Sequence, residues 1–416
     1  MYICRKTKTM SIFNQKIDLI EILRQIPEEE ILKIATKSKV DHYSKVLSGR
    51  LMFYLLLLGI LRTDKLSQRG LCDAFSSPLF RTMFNFKEKK TIAHSSISDR
   101  LSTMNVSFFH DTYETIYRIF SSLYSEKEIA NLCLQRVDST LVCESSNKLK
   151  QGFTCGNQYN KKKMINYTIN YDGMFPFFCC LHTQSSENES KALPENILKH
   201  FKKIPNHSSV YIIDRGQNSA EAFKTMKQEE GLLFVGRMLA NRKLYVLEDI
   251  KDKELPFKHG SLLEDKKVNI YKYQETVSEN GKKSKQMKRV DEIFRIIRFK
   301  PVQGEEILLI TNCFHLSASD IADIYKRRWD IEVFFRFIKQ ELNFSHFLSL
   351  NENGIQIIMY MTMITAMLVM IYKRENQIGY TTAVRRMGIE LESLVMAIVV
   401  IQSGGDLKKT ELMDPT

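Results

Sequence analysis

Two isolated aspartates and one polar stripe carry the chemistry that this sequence could perform. Asp138 interrupts a β-like run, LQRVDSTLVCE, between Val137 and the apolar pair Leu141–Val142. A carboxylate in that setting is either paired or placed at an open edge of a sheet, because burying an uncompensated charge is costly. Asp214 closes a second run, SVYIID, and is followed by Arg215, Gly216 and a stretch of helical character. The C-terminal edge of a strand is a common place for a metal or substrate ligand, and equally for a plain helix cap. The third element, IADIYKRRWDIEVFFRFIKQEL, reads as one continuous helix. Tyr325, Arg328, Glu332 and Lys339 recur on it so that, at about 100° per residue, all four fall within an arc of about 60°. Most of the remaining circumference is apolar, including Trp329, the only tryptophan, which is expected in the core. The stripe would be about 21 Å long, enough to follow several phosphates of a DNA strand. A plain Arg328–Glu332 salt bridge at i,i+4 is the alternative.

The elements that must position these groups follow from periodicity. Residues 14–130 read as helical, with apolar residues at helical spacing in IDLIEILRQI and FFHDTYETIYRIFSSLY. Within them LSQRGLCDAF and TIAHSSISDRLSTM could form a helix-turn-helix-like DNA reader exposing Arg69 and Arg100, or a plain helical bundle. After residue 130 the pattern becomes strand-like in LQRVDSTLVCE, MINYTINYDG, MFPFFCCLHT, SVYIID and GLLFVGRML. Asp172-Gly173 makes a hairpin turn, and helices are expected at Leu193–Lys203 and Ser219–Gln228. Residues 240–300 hold 16 Lys or Arg against 10 Asp or Glu, with strand-like pieces NIYKYQETV and FRIIRF. Lys282, Lys283, Lys285, Lys288 and Arg289 there form either a phosphate-binding patch or a solvated loop. The expected domains are a helical, DNA-binding 1–130, a mixed α/β core from 131–240 and 315–400, a β-rich basic insertion at 241–314, and a loose tail at 401–416.

Composition narrows the class. The 416 residues carry a net charge of +13, which suits a polyanionic partner such as nucleic acid. Eight cysteines show no repeated CxxC spacing, so a disulfide framework or zinc site is not expected. Leu51–Leu61 is too short to span a bilayer. Ile355–Tyr372 is long enough, but it is rich in Met, interrupted by Gln356 and two Thr, and reads as a buried core helix. No secretory signal is visible at MYICRKTKTM.

The stripe Tyr325-x2-Arg328-x3-Glu332-x6-Lys339 resembles the Tyr-Arg-Glu-Lys signature of insertion-sequence-4-type DDE transposases. VDST around Asp138 is similar to the first catalytic block of that family, and IIDRGQNS around Asp214 to the second. FVGRM, with Arg237, resembles the strand downstream. The resemblance runs over about residues 130–375 and implies an RNase H-like mixed sheet flanked by helices, with the β-rich insertion before the last acidic helix. It also implies that Asp138, Asp214 and Glu332 are catalytic and hold two Mg2+ ions, Asp138 bridging, with Mn2+ able to substitute. Carboxylate oxygens rather than His or Cys suit such hard cations. Tyr325, Arg328, Lys339, Arg215 and Arg237 would contact DNA.

The activity implied is cut-and-paste transposition of an insertion sequence by metal-dependent hydrolysis and strand transfer. Its partners would be double-stranded DNA, as element ends and target, and a second copy of the chain on that DNA. The expected location is the bacterial cytoplasm, at the nucleoid, without a membrane. Two other readings use the same residues: an RNase H-like nuclease that does not join strands, and a transposase-derived DNA-binding protein without catalysis.

Overall fold

The computed structural model of the chain describes residues 17–26, 28–62, 66–84, 86, 91–123, 134–144, 149, 151–155, 162–183, 189–203, 209–214, 219–250, 257–277 and 283–402. It divides into two compact units. One is formed by 1–125, 142–150 and 336–416, the other by 126–141 and 151–335.

The first unit opens with helices α1 (Leu19–Arg24), α2 (Glu28–Ser38), α3 (Gly49–Leu61), α4 (Gln68–Ser76), α5 (Pro78–Met83), α6 (His94–Thr103) and α7 (Val106–Ser122). Helix α3 begins where the Ser48 hydroxyl accepts from the Leu51 amide at 3.3 Å. It is apolar almost throughout, and every residue but Arg50 and Tyr54 is buried. The expectation of an exposed Arg100 fails. Its guanidinium donates to the carbonyls of Leu47 at 2.7 Å and Val40 at 2.5 Å, tying down the approach to α3. Arg69 is exposed at the start of α4.

The second unit is built on one sheet. Its strands are β1 (Leu134–Glu144), β2 (Phe153–Cys155), β3 (Lys162–Tyr171), β4 (Pro176–His182), β5 (Val210–Ile213), β6 (Leu233–Met238), β7 (Leu244–Asp249), β8 (Ser261–Val277), β9 (Lys283–Arg289), β10 (Phe294–Lys300) and β11 (Ile307–Thr311). Helices α8 (Glu189–Lys203) and α9 (Ala220–Gln228) connect β4 to β5 and β5 to β6. The order is β2-β3-β1-β5-β6-β11-β10-β8-β7, with β4 on β3 and β9 on β8. Strands β1, β5 and β6 are mutually parallel, and β3–β4 is an antiparallel hairpin. The run β4-β3-β1-β5-β6 is the mixed sheet expected of an RNase H-like core. The hairpin turns at Asp172-Gly173 as expected: Gly173 has φ +98°, and Asp172 Oδ1 accepts from the amides of Met174 and Phe175, each at 2.7 Å.

The basic segment does form strands, and they extend the core sheet. Strand β11 returns to pair antiparallel with β6, carrying β10, β8 and β7 outward from it. A buried Arg295–Asp265 pair fastens this extension. Lys282 lies outside the described residues, as do the side chains of Lys283 and Lys285.

Alternation along the strands sorts the two faces. Val137, Tyr211, Ile213 and Phe234 pack under α8 and α9. Val210, Ile212 and Val235 face the other way, against Ile321, Ala322 and Tyr325 of α10 (Ala318–Lys326). Helix α10 starts in a capping box: Ser317 and Asp320 satisfy each other's exposed amides. Helix α11 (Trp329–Glu341) follows after a short turn.

Back in the first unit, α12 (Glu352–Glu375) packs against α3, α7 and α13 (Tyr380–Gln402). Helix α12 is long and apolar enough to cross a membrane, but its most apolar stretch is 89% buried inside the protein, as suits a core helix.

Candidate active site

Two strands bring the aspartates together. Strands β1 and β5 run parallel with Val137 level with Ile213. One step further along each strand are Asp138 and Asp214, so the next pair in that register is two carboxylates on neighbouring strands, about 5 Å apart at the backbone. Val137 and Ile213 both face α8 and α9, so alternation turns Asp138 and Asp214 to the opposite face, the one covered by α10. Both side chains are half-buried. Asp138 Oδ1 accepts from the Ser139 amide at 2.7 Å. Asp214 lies at the end of β5, and Ser219 then caps α9.

The third carboxylate arrives through an arginine. Arg328 Nη2 lies 2.6 Å from Glu332 Oε1, and Arg328 Nε lies 3.5 Å from Asp214 Oδ1. One guanidinium therefore spans Asp214 and Glu332. The Tyr325 hydroxyl donates to the same Asp214 oxygen at 3.3 Å. Burial, with Asp214 beside it, pushes the Tyr325 phenol up to about 12, while the positive charges of Arg328 and Arg237 pull the other way. Burial pulls the pKa of Arg328 down, but Asp214, Tyr325 and Glu332 outweigh it and hold the guanidinium above its ordinary value. Arg237 sits on β6, opposite Leu309 of β11.

The polar stripe is not one continuous helix. Helix α10 ends at Lys326, and the chain turns through Arg327 and Arg328 before α11 begins. The amides of Arg327, Arg328, Asp330 and Ile331 each reach back three residues, to Ile324, Tyr325, Arg327 and Arg328. This tightening is invisible to a periodicity argument, because 3.0 and 3.6 residues per turn differ little over one turn. The turn swings Trp329 outward, so it is 54% exposed rather than in the core. Lys339 lies near the end of α11 in the first unit, half-buried, where burial lowers its pKa against the pull of Cys143. Arg215 lies outside the described residues.

Sequence reasoning missed Arg136 and Asp330. Arg136 is 5% exposed and Asp330 36%, and Arg136 Nη2 donates to Asp330 Oδ2 at 2.8 Å. An arginine in the apolar stretch of β1, two residues before Asp138, was the available signal.

As to metals, the donors at Asp138, Asp214 and Glu332 are hard carboxylate oxygens without His or Cys, the set that suits Mg2+ or Mn2+. Among the described residues no three His, Cys, Asp or Glu side chains are gathered closely enough to hold an ion as they stand. The guanidinium of Arg328 lies between two of them. The residues fit a divalent cation in kind, with Arg328 having to yield.

Comparison with known proteins bears on this arrangement. The Transposase DDE domain family matches residues 129–368. A probable transposase for insertion sequence element IS5377 of Geobacillus stearothermophilus is 44% identical over 61 residues, 15% of this chain and 16% of that protein. A putative transposase for insertion sequence element IS4SA of Synechocystis is 24% identical over 209 residues, 47% of this chain and 54% of that protein. The chain thus spans about half or less of the length of these curated relatives. Among solved structures, a piggyBac transposase synaptic complex with hairpin DNA aligns at 13% identity and a TM-score of 0.47, over 97% of this chain and 83% of that one.

Proposed function

The chain belongs to the Transposase DDE domain family, and from that premise we propose that it is a DNA transposase cutting and joining strands through Asp138, Asp214 and Glu332. The observation that supports this reading is the placement of the three carboxylates: Asp138 and Asp214 follow level positions on parallel strands, and one guanidinium bridges Asp214 to Glu332.

Breaking a phosphodiester requires an activated nucleophile, neutralised charge at the phosphate and support for the leaving oxygen. Two Mg2+ ions, or Mn2+ in their place, supply these when held by Asp138, Asp214 and Glu332. The protein's own groups do the rest. Arg328, released from its carboxylates, offers a planar fork to a phosphate, which would free Asp214 and Glu332 as ligands. Tyr325 stays a neutral phenol and orients Asp214 through its hydrogen bond. Arg237 adds positive charge on the same face of the sheet. Arg215 and Lys339 are further candidate phosphate contacts from the sequence motif. The first step hydrolyses a strand to leave a 3′-OH and a 5′-phosphate. In the second that hydroxyl attacks another phosphodiester, forming a new 3′-O–P bond as the P–O bond to the displaced 3′-oxygen breaks and that oxygen takes up a proton. The substrate is double-stranded DNA, as element ends and target, and two copies of the chain act together on paired ends, in the bacterial cytoplasm.

The deciding experiment incubates the protein with the DNA flanking its own gene in Mg2+ and resolves the products by strand. Cleavage accompanied by products joined through a new 3′-OH donor supports transposition. Cleavage with only hydrolytic products leaves a nuclease. Binding without either reaction leaves a DNA-binding protein.

A further inference from the structure

The joint between α10 and α11 carries Tyr325, Arg328 and Glu332, and the bonds of Tyr325 and Arg328 tie it to Asp214 at the end of β5. Arg136 supplies a second link, to β1. Its side chain leaves β1 two residues before Asp138 and therefore on the same face. It makes four contacts there. Nε donates to the carbonyl of Arg327 at 3.2 Å, and Nη2 to the Asp330 carboxylate at 2.8 Å. Nη1 donates to the carbonyls of Leu134 at 2.6 Å and Asp172 at 2.9 Å. One guanidinium thus holds a β1 carbonyl, the β3–β4 turn, the C-cap of α10 and the first turn of α11. The stacking of Phe334 on Tyr171, with ring centroids 5.1 Å apart, secures the next turn of α11 to the end of β3.

The surroundings are shaped to this side chain. Gly173 has φ +98°, and a Cβ there would come within 2.8 Å of Arg136 Nη1. The turn thus needs glycine for its backbone and again for the arginine passing beneath it. A buried arginine is costly unless its donors are met. Its placement between the strand of Asp138 and the helix of Glu332 gives it a purpose beyond packing.

We propose that Arg136, locked by Asp330 and roofed by Gly173, is a positioning residue that sets the distance between Asp138 and Glu332. It touches no reacting atom. It acts by fixing the α10–α11 joint to β1, and so rests on the reading that Asp138 and Glu332 share one active site. Misplacement of catalytic groups by about 1 Å can cost about 100-fold in rate.

The test uses the full-length protein, the DNA flanking its gene and Mg2+. Arg136 is buried enough that Arg136→Ala risks unfolding, so Asp330→Ala is the principal variant, with Asp330→Glu as the conservative one and Gly173→Ala as a displacement of the same arginine from the far side. Asp138→Ala runs beside them. The readouts are the single-turnover cleavage rate at saturating DNA, the DNA affinity and the thermal midpoint. Asp330→Ala is expected to bind DNA within about twofold of the parent and to cleave about 10- to 100-fold more slowly at temperatures well below its midpoint. Asp330→Glu should recover most of that loss, and Gly173→Ala should reproduce it. A variant that only lowers the midpoint, with an unchanged cleavage rate below it, makes Arg136 a structural brace and overturns the proposal. If Asp330→Ala is neutral while Asp138→Ala is inactive, the positioning role alone fails. If Asp138→Ala or the parent fails to behave as a site of this kind requires, the active-site reading fails and takes the proposal with it.

Discussion

Two arginines of the second unit hold carboxylates in opposite ways. Arg295 is 1% exposed and meets Asp265, 6% exposed, through two parallel bonds of 2.8 and 2.6 Å. A third bond runs from Nη1 to the carbonyl of Leu316 at 2.6 Å. Arg328 is 15% exposed and divides itself between two acids, Asp214 at 3.5 Å and Glu332 at 2.6 Å, each about a third exposed. The first is a closed, bidentate pair fastening β8 to β10. The second is open to solvent and shared between partners, so a phosphate or a cation can compete for every member. Burial and bidentate geometry mark a structural pair. Exposure and divided geometry suit a pair that must come apart in use.

That contrast can be broken at several points. The largest effect is expected at the candidate metal-binding acids: Asp138→Ala, Asp214→Ala and Glu332→Ala should each lower cleavage by about a thousandfold or more with folding and DNA binding intact. Cleavage by any one of them at the parent rate removes that residue from the site. Next is the closed pair. Asp265→Ala strands a buried guanidinium and should cost about 3–5 kcal/mol of stability in a denaturant titration. A loss under about 1 kcal/mol would erase the distinction drawn here.

A smaller effect is expected at Arg328→Lys, which keeps the charge but loses the fork. Cleavage should fall about tenfold or more while stability changes by less than about 1 kcal/mol, because the pair is partly exposed. An undiminished rate would mean that point charge suffices. The smallest effect concerns Tyr325, whose pKa is raised from 10.0 to about 12. As pH climbs through that window the unfolded chain gives up the phenol proton before the folded one does. Stability from this group is therefore fully present below about pH 10 and is lost between about pH 10 and 12. Tyr325→Phe should make stability fall less steeply there, and superimposable curves would contradict the burial of this phenol beside Asp214.

Much of this site could be read in the sequence, because its residues announce themselves against a regular pattern. Asp138 interrupts one strand-like run and Asp214 closes another, and those runs form β1 and β5 in parallel register. The Asp172-Gly173 turn was legible for the same reason: only certain residues accept its backbone. The Tyr325, Arg328 and Glu332 spacing was legible as a motif but misleading as geometry. Periodicity continues across Arg327–Arg328, where the chain tightens, and so points Trp329 to the core although it is exposed. Arg100 and Arg136 were harder still. A charged side chain is read as solvent-facing unless its buried partners are known, and those partners are carbonyls at Val40, Leu47, Asp172 and Arg327, far away in sequence. Nor does composition show that the basic insertion continues the core sheet through β11, since strand pairing depends on which edge is free.

The most direct test is crystallographic. Crystals of the protein bound to the DNA flanking its gene, soaked in Mn2+, give anomalous density that locates the ions without reference to the carboxylates. The expected result is manganese in contact with Asp138, Asp214 and Glu332, with Arg328 turned from Asp214 onto a phosphate. Manganese bound elsewhere, or Arg328 still bridging Asp214 and Glu332 beside bound DNA and metal, would contradict the account.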